Sequence, residues 1–136
     1  VNAGSSQSRR IMIYGIGTDI AAVARLRGFW ERHGDKALER VLAPNEFDDF
    51  ARASDKGRFL AKRFATKEAF AKALGTGVRP PALLSAIGVG HDELGKPSLI
   101  FHGQLAELIK KLGLKAHLSI SDEADFAIAY VILETV

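Results

Sequence analysis

The stretch FLAKRFATKEAFAKALGTG, Phe59 to Gly77, decides the fold of this chain. Six apolar residues recur at helical spacing and fall within one arc of the helix, so they predict a long helix over residues 58–74 with one apolar face. They are Phe59, Leu60, Phe64, Phe70, Ala71 and Leu74. The helical pattern then runs into the turn Gly75-Thr76-Gly77. We therefore expect a core helix that ends at a glycine turn.

Positive charge is concentrated in the same segment. Between residues 58 and 79, six basic residues stand against the single acid Glu68, a local charge of +5, while the whole chain carries +3. Ammonium and guanidinium groups pair with phosphate oxygens, so this pattern favours a polyphosphate partner. Two of the cations, Arg63 and Lys67, fall on the apolar face, and their stems alone could pack there while the charges reach water. Glu68 and Lys72, one helical turn apart, also fit an ordinary surface pair.

The start of the chain supplies further polar candidates. IMIYGIG, residues 11–17, reads as a strand with two glycines on one face. A helical pattern over residues 20–33 follows, so Thr18 or Asp19 could be a plain N-cap. The alternative is that Asp19 belongs to a functional site, and the residues alone do not choose between the two.

Periodicity and turn residues predict a single α+β domain over residues 11–136, with a small, largely antiparallel sheet packed against helices. Residues 1–10 are polar and small, typical of a tag remnant or a disordered extension, with Met12 a plausible native start. The remaining predicted helices cover residues 36–42, 45–53 (capped by Asn45) and 104–112, and the remaining strands 87–89, 98–101 and a C-terminal hairpin returning over 126–133. His117, Ser119 and Ser121 share one face of that hairpin.

Composition narrows the classes of protein. The 136 residues include no cysteine, which excludes disulfide and thiolate chemistry and favours a cytoplasmic protein. No apolar run approaches the ~20 residues of a membrane span, so we expect no membrane partner. Without Arg9 and Arg10, 17 basic residues face 16 acidic ones, a net charge of +1, so the overall charge is no argument for nucleic-acid binding.

Four motifs occur in a specific order: IYGIGTDI (13–20), FLAKRFATKEAFAKALGTG (59–77), DELGKP (92–97) and HLSISDEADFAIAYVILE (117–134). Together they resemble the holo-[acyl-carrier-protein] synthase family, the short 4'-phosphopantetheinyl transferases, over nearly the whole chain. The resemblance implies the 4'-phosphopantetheinyl transferase fold. It also implies transfer of 4'-phosphopantetheine from coenzyme A to a serine of apo acyl carrier protein, with release of 3',5'-ADP, in support of fatty acid biosynthesis.

The resemblance also implies site residues. Asp19 and Glu68 would be the ligands of a Mg²⁺ or Mn²⁺ ion, which fits the preference of Mg²⁺ for one or two carboxylates completed by substrate oxygens and water. Lys72 would contact the pyrophosphate, and Arg63 and Lys67 would bind phosphate or hold the carboxylates. The other implied coenzyme A contacts are Gly75, Thr76 and Gly77 through close backbone approach, and Lys96, Pro97, His117 and Ser119.

The catalytic base stays open at the level of sequence. The implied catalytic set is Asp19, Glu68, Lys72 and His117. Many relatives carry a second histidine where this chain has Asp122, and this departure weakens any mechanism based on a histidine base. Asp19 acting through a water molecule is the alternative.

The expected partners follow from charge and length. Arg25, Arg32 and Lys36 form a basic surface on the first helix, which fits an acidic carrier protein, although an ordinary solvated helix face has the same appearance. Longer relatives contain two such halves. This chain has the length of one half, and the resemblance to the short members of the family implies a homotrimer. In such a trimer Asp19 and Glu68 of one subunit would approach the cofactor-contacting strand of its neighbour.

Two other classes of protein remain as alternatives. A nucleic-acid-binding module could use the basic helix, but it would not need Asp19 or Glu68, whose charges oppose phosphate, and its binding would weaken steeply with salt. A coenzyme A sensor or scaffold could keep the cofactor pocket without transfer. A transferase differs from both, because it requires a divalent cation together with coenzyme A. We expect no nucleic-acid partner.

Overall fold

Five strands and five α-helices make up the part of the chain that the structure, a computed structural model, describes: residues 10–136. The predicted tag remnant or extension lies outside the described residues, except for Arg10. The elements are β1 (Met12–Ala22), α1 (Val23–His33), α2 (Asp35–Val41), α3 (Phe47–Arg52), α4 (Lys56–Leu74), β2 (Ile87–His91), β3 (Pro97–Phe101), α5 (Gly103–Leu112), β4 (Leu114–Asp122) and β5 (Phe126–Thr135). Short 3₁₀ turns lie at Pro44–Glu46 and Leu84–Ala86.

The strands form two antiparallel sheets. One has three strands in the order β1-β5-β4, and the other is the separate β2-β3 hairpin. In the larger sheet Asp19 lies opposite Ala129, and Ser119 lies opposite Tyr130. Helix α4 packs across β1 and β5, and α1 also packs against α4. The predicted α+β class with antiparallel sheets is confirmed, and no helix within residues 10–136 has the length and apolar character needed to cross a bilayer.

Helix α4 forms the centre of the core. It begins where the Asp55 side chain accepts a hydrogen bond from the Arg58 N–H at 3.0 Å, a standard N-cap contact. It ends at Gly75, whose φ of 90° is a left-handed conformation that favours glycine. Leu60 and Phe70 are among its buried side chains. The predicted helix is confirmed and starts two residues earlier than expected.

Strand β1 lies directly on α4 because two of its residues have no side chain. A Cβ built at Gly15 would stand 1.8 Å from the Ala73 carbonyl oxygen, and one at Gly17 would stand 1.9 Å from that of Ala69. Both positions face the helix, and side chains alternate along a strand. Asp19, the next position on that face, is therefore directed toward α4.

We expect Gly17→Ala to destabilise the protein strongly. Its new methyl group would meet helix backbone that cannot move aside, so the loss should exceed about 2 kcal/mol, at the upper end of overpacking effects. Gly28→Ala is the matched control, because Gly28 lies within α1 and a Cβ there meets only the Arg32 guanidinium, at 3.1 Å. Urea denaturation would measure both. Equal stabilities of the two variants would contradict the close approach.

The first strand is longer than predicted. It continues to Ala22, with Asp19 paired to Ala129 and Ala22 paired to Phe126, and the Thr18 hydroxyl donates to the Ala129 carbonyl at 3.0 Å. The N-cap interpretation of Thr18 and Asp19 is therefore wrong, and the first helix begins at Val23 instead of residue 20. Pairing with β5, a strand more than a hundred residues away, overrides the local helical pattern.

The predicted helix over residues 45–53 is divided. Pro44–Glu46 forms a 3₁₀ turn, and α3 follows from Phe47 to Arg52. Asn45 does not cap a helix; its side-chain amide donates to the Val89 carbonyl at 3.0 Å, and its oxygen lies 2.7 Å from His102 Nε2. The predicted helix 36–42 is α2, which starts at Asp35, so Lys36 lies on α2 and not on the first helix as predicted.

Candidate active site

Asp19 and Lys72 meet where β1 crosses α4. The Lys72 ammonium donates to Asp19 Oδ1 at 3.1 Å and to the Thr18 carbonyl at 2.9 Å. Glu68 lies one helical turn before Lys72, so both side chains point to the same side of α4. The structure therefore brings together three of the four predicted catalytic residues from segments about fifty residues apart.

Burial and a neighbouring carboxylate make the ionisation of Glu68 less favourable. Partial burial raises the pKa of Glu68, and the negative charge of Asp19 raises it further, while the charges of Lys72 and Arg25 act in the opposite direction. A divalent cation between such carboxylates would relieve their repulsion. No cluster of three or more metal-ligating side chains occurs in residues 10–136. Two carboxylates, with the other ligand positions supplied by substrate and water, fit a Mg²⁺ site.

Lys67 belongs to the core. Its side chain is completely buried, and its ammonium donates to the Glu46 carboxylate and to the carbonyls of Val41 and Leu84. Burial lowers its pKa to about 8, although the charge of Glu46 opposes this shift. All three N–H donors are used inside the protein. Its predicted contact with the cofactor is therefore corrected to a structural role, and the alternative in which its charge reaches water is also wrong.

Glu46 is the residue that the sequence analysis missed. It is completely buried, and its carboxylate accepts hydrogen bonds from the N–H groups of Ala43 at 2.8 Å and Val89 at 3.0 Å. Arg63 donates to it at 3.0 Å and Lys67 completes the cluster. The available signal was the presence of two cations on the apolar face of α4, since buried charges require partners.

Arg63 contacts the buried Glu46 and also lines a cavity. Its guanidinium pairs with Glu46, lies 3.6 Å from Asp49 and stacks over the Phe59 ring at 4.3 Å. It also lines a cavity of about 260 Å³ at the start of α4, together with Arg58, Lys62 and His91. The carboxylate that it holds is Glu46, and its contact with substrate phosphate stays a prediction.

The glycine turn terminates the helix. The Gly75 N–H donates to Ala71 and Lys72 carbonyls at 3.1 Å, and the Gly77 N–H donates to the Ala71 carbonyl at 3.3 Å. The Thr76 hydroxyl donates to the Gly77 carbonyl at 2.8 Å. The two glycine N–H groups therefore have partners within the helix end. All three residues are exposed, and contact with the cofactor stays a prediction.

The other predicted cofactor residues lie elsewhere in the fold. His117 and Ser119 are exposed on β4, and His117 Nε2 lies 2.7 Å from the Glu134 carboxylate. Lys96 and Pro97 lie at the turn of the separate β2-β3 hairpin. Because they lie elsewhere, a single chain does not gather the whole predicted set around Asp19.

The predicted docking residues line a groove. Arg25 and Arg32 border a cavity of about 160 Å³ between α1, α2 and α4, with Phe29 and Phe64 among its apolar lining. The Arg25 guanidinium lies 5.0 Å from the centre of the Phe64 ring. Arg40, on α2, adds a basic residue that was not predicted, whereas Lys36 borders a different depression.

Comparison with known proteins identifies the class of protein to which this fold and its paired carboxylates belong. The model of the 4'-phosphopantetheinyl transferase superfamily matches residues 15–131, so the chain belongs to this superfamily. Within it, the chain is 72% identical over 123 residues to the holo-[acyl-carrier-protein] synthase of Dechloromonas aromatica (strain RCB), covering 90% of this chain and 98% of that relative.

Solved structures agree with this assignment. The crystal structure of holo-[acyl-carrier-protein] synthase from Neisseria meningitidis is 43% identical with a TM-score of 0.87, covering 91% of this chain and all of that one. The synthase from Bacillus anthracis str. Ames in complex with CoA (3',5'-ADP) is 38% identical with a TM-score of 0.77, covering 92% of this chain and 99% of that one. The family and the fold that the four motifs indicated are confirmed.

Proposed function

We propose that this protein transfers the 4'-phosphopantetheine group of coenzyme A to a serine of apo acyl carrier protein. The serine oxygen forms a bond to the pantetheine-linked phosphorus, the pyrophosphate P–O bond breaks, and 3',5'-ADP leaves. The observation that carries the proposal is the meeting of Asp19, Glu68 and Lys72 in a member of this superfamily. We propose that the protein acts in the cytoplasm, in support of fatty acid biosynthesis.

Asp19, Glu68 and Lys72 have different roles because their charges differ. Asp19 and Glu68 would hold a Mg²⁺ or Mn²⁺ ion, which supplies charge stabilisation to the pyrophosphate when bound. Lys72 is more than half exposed and hydrogen-bonded to Asp19, so its ammonium is placed to pair with a phosphate oxygen beside the carboxylates. The serine proton has two candidate acceptors, Asp19 through a bridging water and His117, whose ring is oriented by Glu134.

The reaction can be followed through its smaller product. Release of 3',5'-ADP, measured by chromatography, should require coenzyme A, a divalent cation and an apo carrier with its acceptor serine. A carrier in which this serine is alanine is the control and should give no release. Equal release with both carriers would contradict the proposal, because it would indicate hydrolysis of coenzyme A instead of transfer.

The arrangement of faces on the larger sheet supports a homotrimer with shared sites. Asp19 is on the face that packs against α4. His117 and Ser119 are on the opposite face, since Ser119 lies across from Tyr130, whose neighbours Ala129 and Val131 are buried. Within one subunit, the thickness of the sheet therefore separates the Asp19 and Glu68 carboxylates from His117. A second copy would bring its own His117 strand to these carboxylates.

The outer face of this sheet is apolar. Its exposed apolar side chains on β1 and β5 include Ile16, Ile20, Ile128 and Tyr130. Exposed apolar patches of this kind mark interaction surfaces, and this patch continues directly to Ser119. We propose that this face packs against the other subunits and that coenzyme A binds at each interface.

Tyr130→Arg should dissociate the trimer and remove transfer activity together. A charge buried in an apolar interface is strongly unfavourable, and Tyr130 is 47% exposed at the centre of the face. Leu94→Arg is the matched control, because Leu94 is 95% exposed in the β2-β3 turn. Sedimentation velocity would measure the assembly state. A wild-type monomer that is active at the assay concentration would contradict the shared site.

Arg25→Glu should mainly raise the KM for the carrier protein and flatten its salt dependence. Arg25 is exposed beside the groove between α1 and α4, and charges at the rim of an interface act chiefly on association. Lys111→Glu, an equal change of charge on the exposed surface of α5, is the control. Steady-state kinetics would separate the effects. A loss of coenzyme A affinity with an unchanged carrier KM would place Arg25 in the cofactor pocket instead.

A further inference from the structure

Helix α4 carries a groove residue, a buried lysine and a proposed metal ligand within five positions. Phe64 lines the cavity of about 160 Å³ between α1, α2 and α4. Lys67 is completely buried, and Glu68 beside it is partly exposed. Four residues of helix, about 6 Å at 1.5 Å per residue, separate Phe64 from Glu68, and residues at this spacing lie on the same face. The groove therefore lies about one helical turn from the proposed metal ligand.

The Lys67 ammonium ties two walls of this groove to α4. It donates to the carbonyl of Val41, at the end of α2, and to the carbonyl of Leu84, in the second 3₁₀ turn, at 3.0 Å. Val41 and Leu84 both line the groove. The third bond of the ammonium, to Glu46, holds the 3₁₀ turn that follows α2. Within residues 10–136, no other side chain donates a hydrogen bond to either of these two carbonyls.

Packing alone does not explain why an ammonium occupies this position. Apolar side chains of similar volume can replace buried ion pairs without loss of stability. A methionine could fill the space of Lys67, but it would leave the Val41 and Leu84 carbonyls without this donor. The contribution of the ammonium is therefore directional, because it fixes where the end of α2 and the second 3₁₀ turn lie relative to α4.

We propose that Lys67 is a positioning residue for the carrier protein, because its ammonium sets the width of the groove in which an acidic carrier docks beside Glu68. The inference rests on the proposed function. Charge identifies the occupant, since Arg25, Arg32 and Arg40 border the groove and such a surface attracts an acidic partner. The charge of Arg25 also lowers the pKa of Glu68, which shows that the basic rim lies close to the proposed metal ligand.

Lys67→Met should weaken binding of the carrier and leave binding of coenzyme A unchanged. The two carbonyls would be released from α4, and the groove would lose its defined width. We expect the Kd for a fluorescently labelled apo carrier, measured by anisotropy without coenzyme A, to rise roughly tenfold, which is about the net contribution of one or two hydrogen bonds. The KM for the carrier should rise by a similar factor, with kcat and the KM for coenzyme A unchanged.

Two further variants separate positioning from a general loss of stability. Leu105 is a completely buried residue of α5 that does not line the groove. Leu105→Ala should therefore unfold at a lower urea concentration than wild type and keep the wild-type affinity for the carrier. Lys67→Gln is the milder variant, because its shorter side chain keeps an N–H donor. Its Kd for the carrier should lie between those of wild type and Lys67→Met.

The comparison is made at a temperature at which circular dichroism shows the variants folded. An unchanged carrier Kd in Lys67→Met, an equal weakening in Leu105→Ala, or a parallel loss of coenzyme A affinity would overturn the proposal. Failure of both Lys67 variants to fold would also overturn it, because Lys67 would then serve the fold as a whole. A wild-type protein that binds the carrier but transfers nothing to it would instead refute the proposed function.

Discussion

Asp19→Ala and Glu68→Ala should each abolish transfer while leaving the protein folded. The two carboxylates come from β1 and α4 and face the same cation, Lys72. Removing either would leave a divalent ion with one protein ligand. Charge stabilisation by such an ion contributes several kcal/mol, and each 1.36 kcal/mol is tenfold in rate, so we expect a loss of roughly 10³-fold or more.

The control for these variants is Asp48→Ala, which removes an exposed carboxylate from α3. It should transfer at the wild-type rate. Circular dichroism should be unchanged in all three variants, since removing Asp19 or Glu68 relieves repulsion between carboxylates and leaves the core intact. Near-normal transfer by Asp19→Ala or Glu68→Ala in Mg²⁺ would refute the assignment of metal ligands.

Glu46→Gln should destabilise the protein strongly, although the substitution is isosteric. The carboxylate is buried against Arg63 and Lys67, and an amide would leave two buried cations facing each other. Breaking a buried ion pair by removing one partner costs about 3–5 kcal/mol. The 3₁₀ turn and β2 would also lose a charged acceptor for the N–H groups of Ala43 and Val89.

Glu39→Gln, at an exposed position of α2, is the matched control and should change the free energy of unfolding by less than about 0.5 kcal/mol. Urea denaturation of both variants at neutral pH measures the difference. If Glu46→Gln unfolds at the same urea concentration as Glu39→Gln, the contacts of Glu46 with Arg63 and Lys67 do not stabilise the fold as the geometry indicates.

Local signals in the sequence predicted much of the fold. The α4 helix is specified by apolar spacing and ended by Gly75, and both features are local. The C-terminal hairpin is specified by alternation, which also placed His117 and Ser119 on one face. Asp19, Glu68 and Lys72 were selected by resemblance to a family, and the structure brings them together.

Long-range contacts explain what the sequence did not predict. Strand β1 continues through Asp19 because β5 pairs with it over its whole length, and nothing near residue 19 indicates this. Glu46 was not singled out because its partners Arg63 and Lys67 follow it by 17 and 21 residues. Charge on an apolar helix face is a signal that a buried partner is needed, but it does not show which residue supplies that partner.

The central claim is that this protein moves 4'-phosphopantetheine onto a carrier protein. Intact mass spectrometry of an apo acyl carrier protein, after incubation with coenzyme A, Mg²⁺ and the protein, tests it most directly. We predict that the carrier gains the mass of one 4'-phosphopantetheine group on its serine, and that EDTA prevents the gain. A carrier whose mass stays unchanged with Mg²⁺ and with Mn²⁺ would contradict the account.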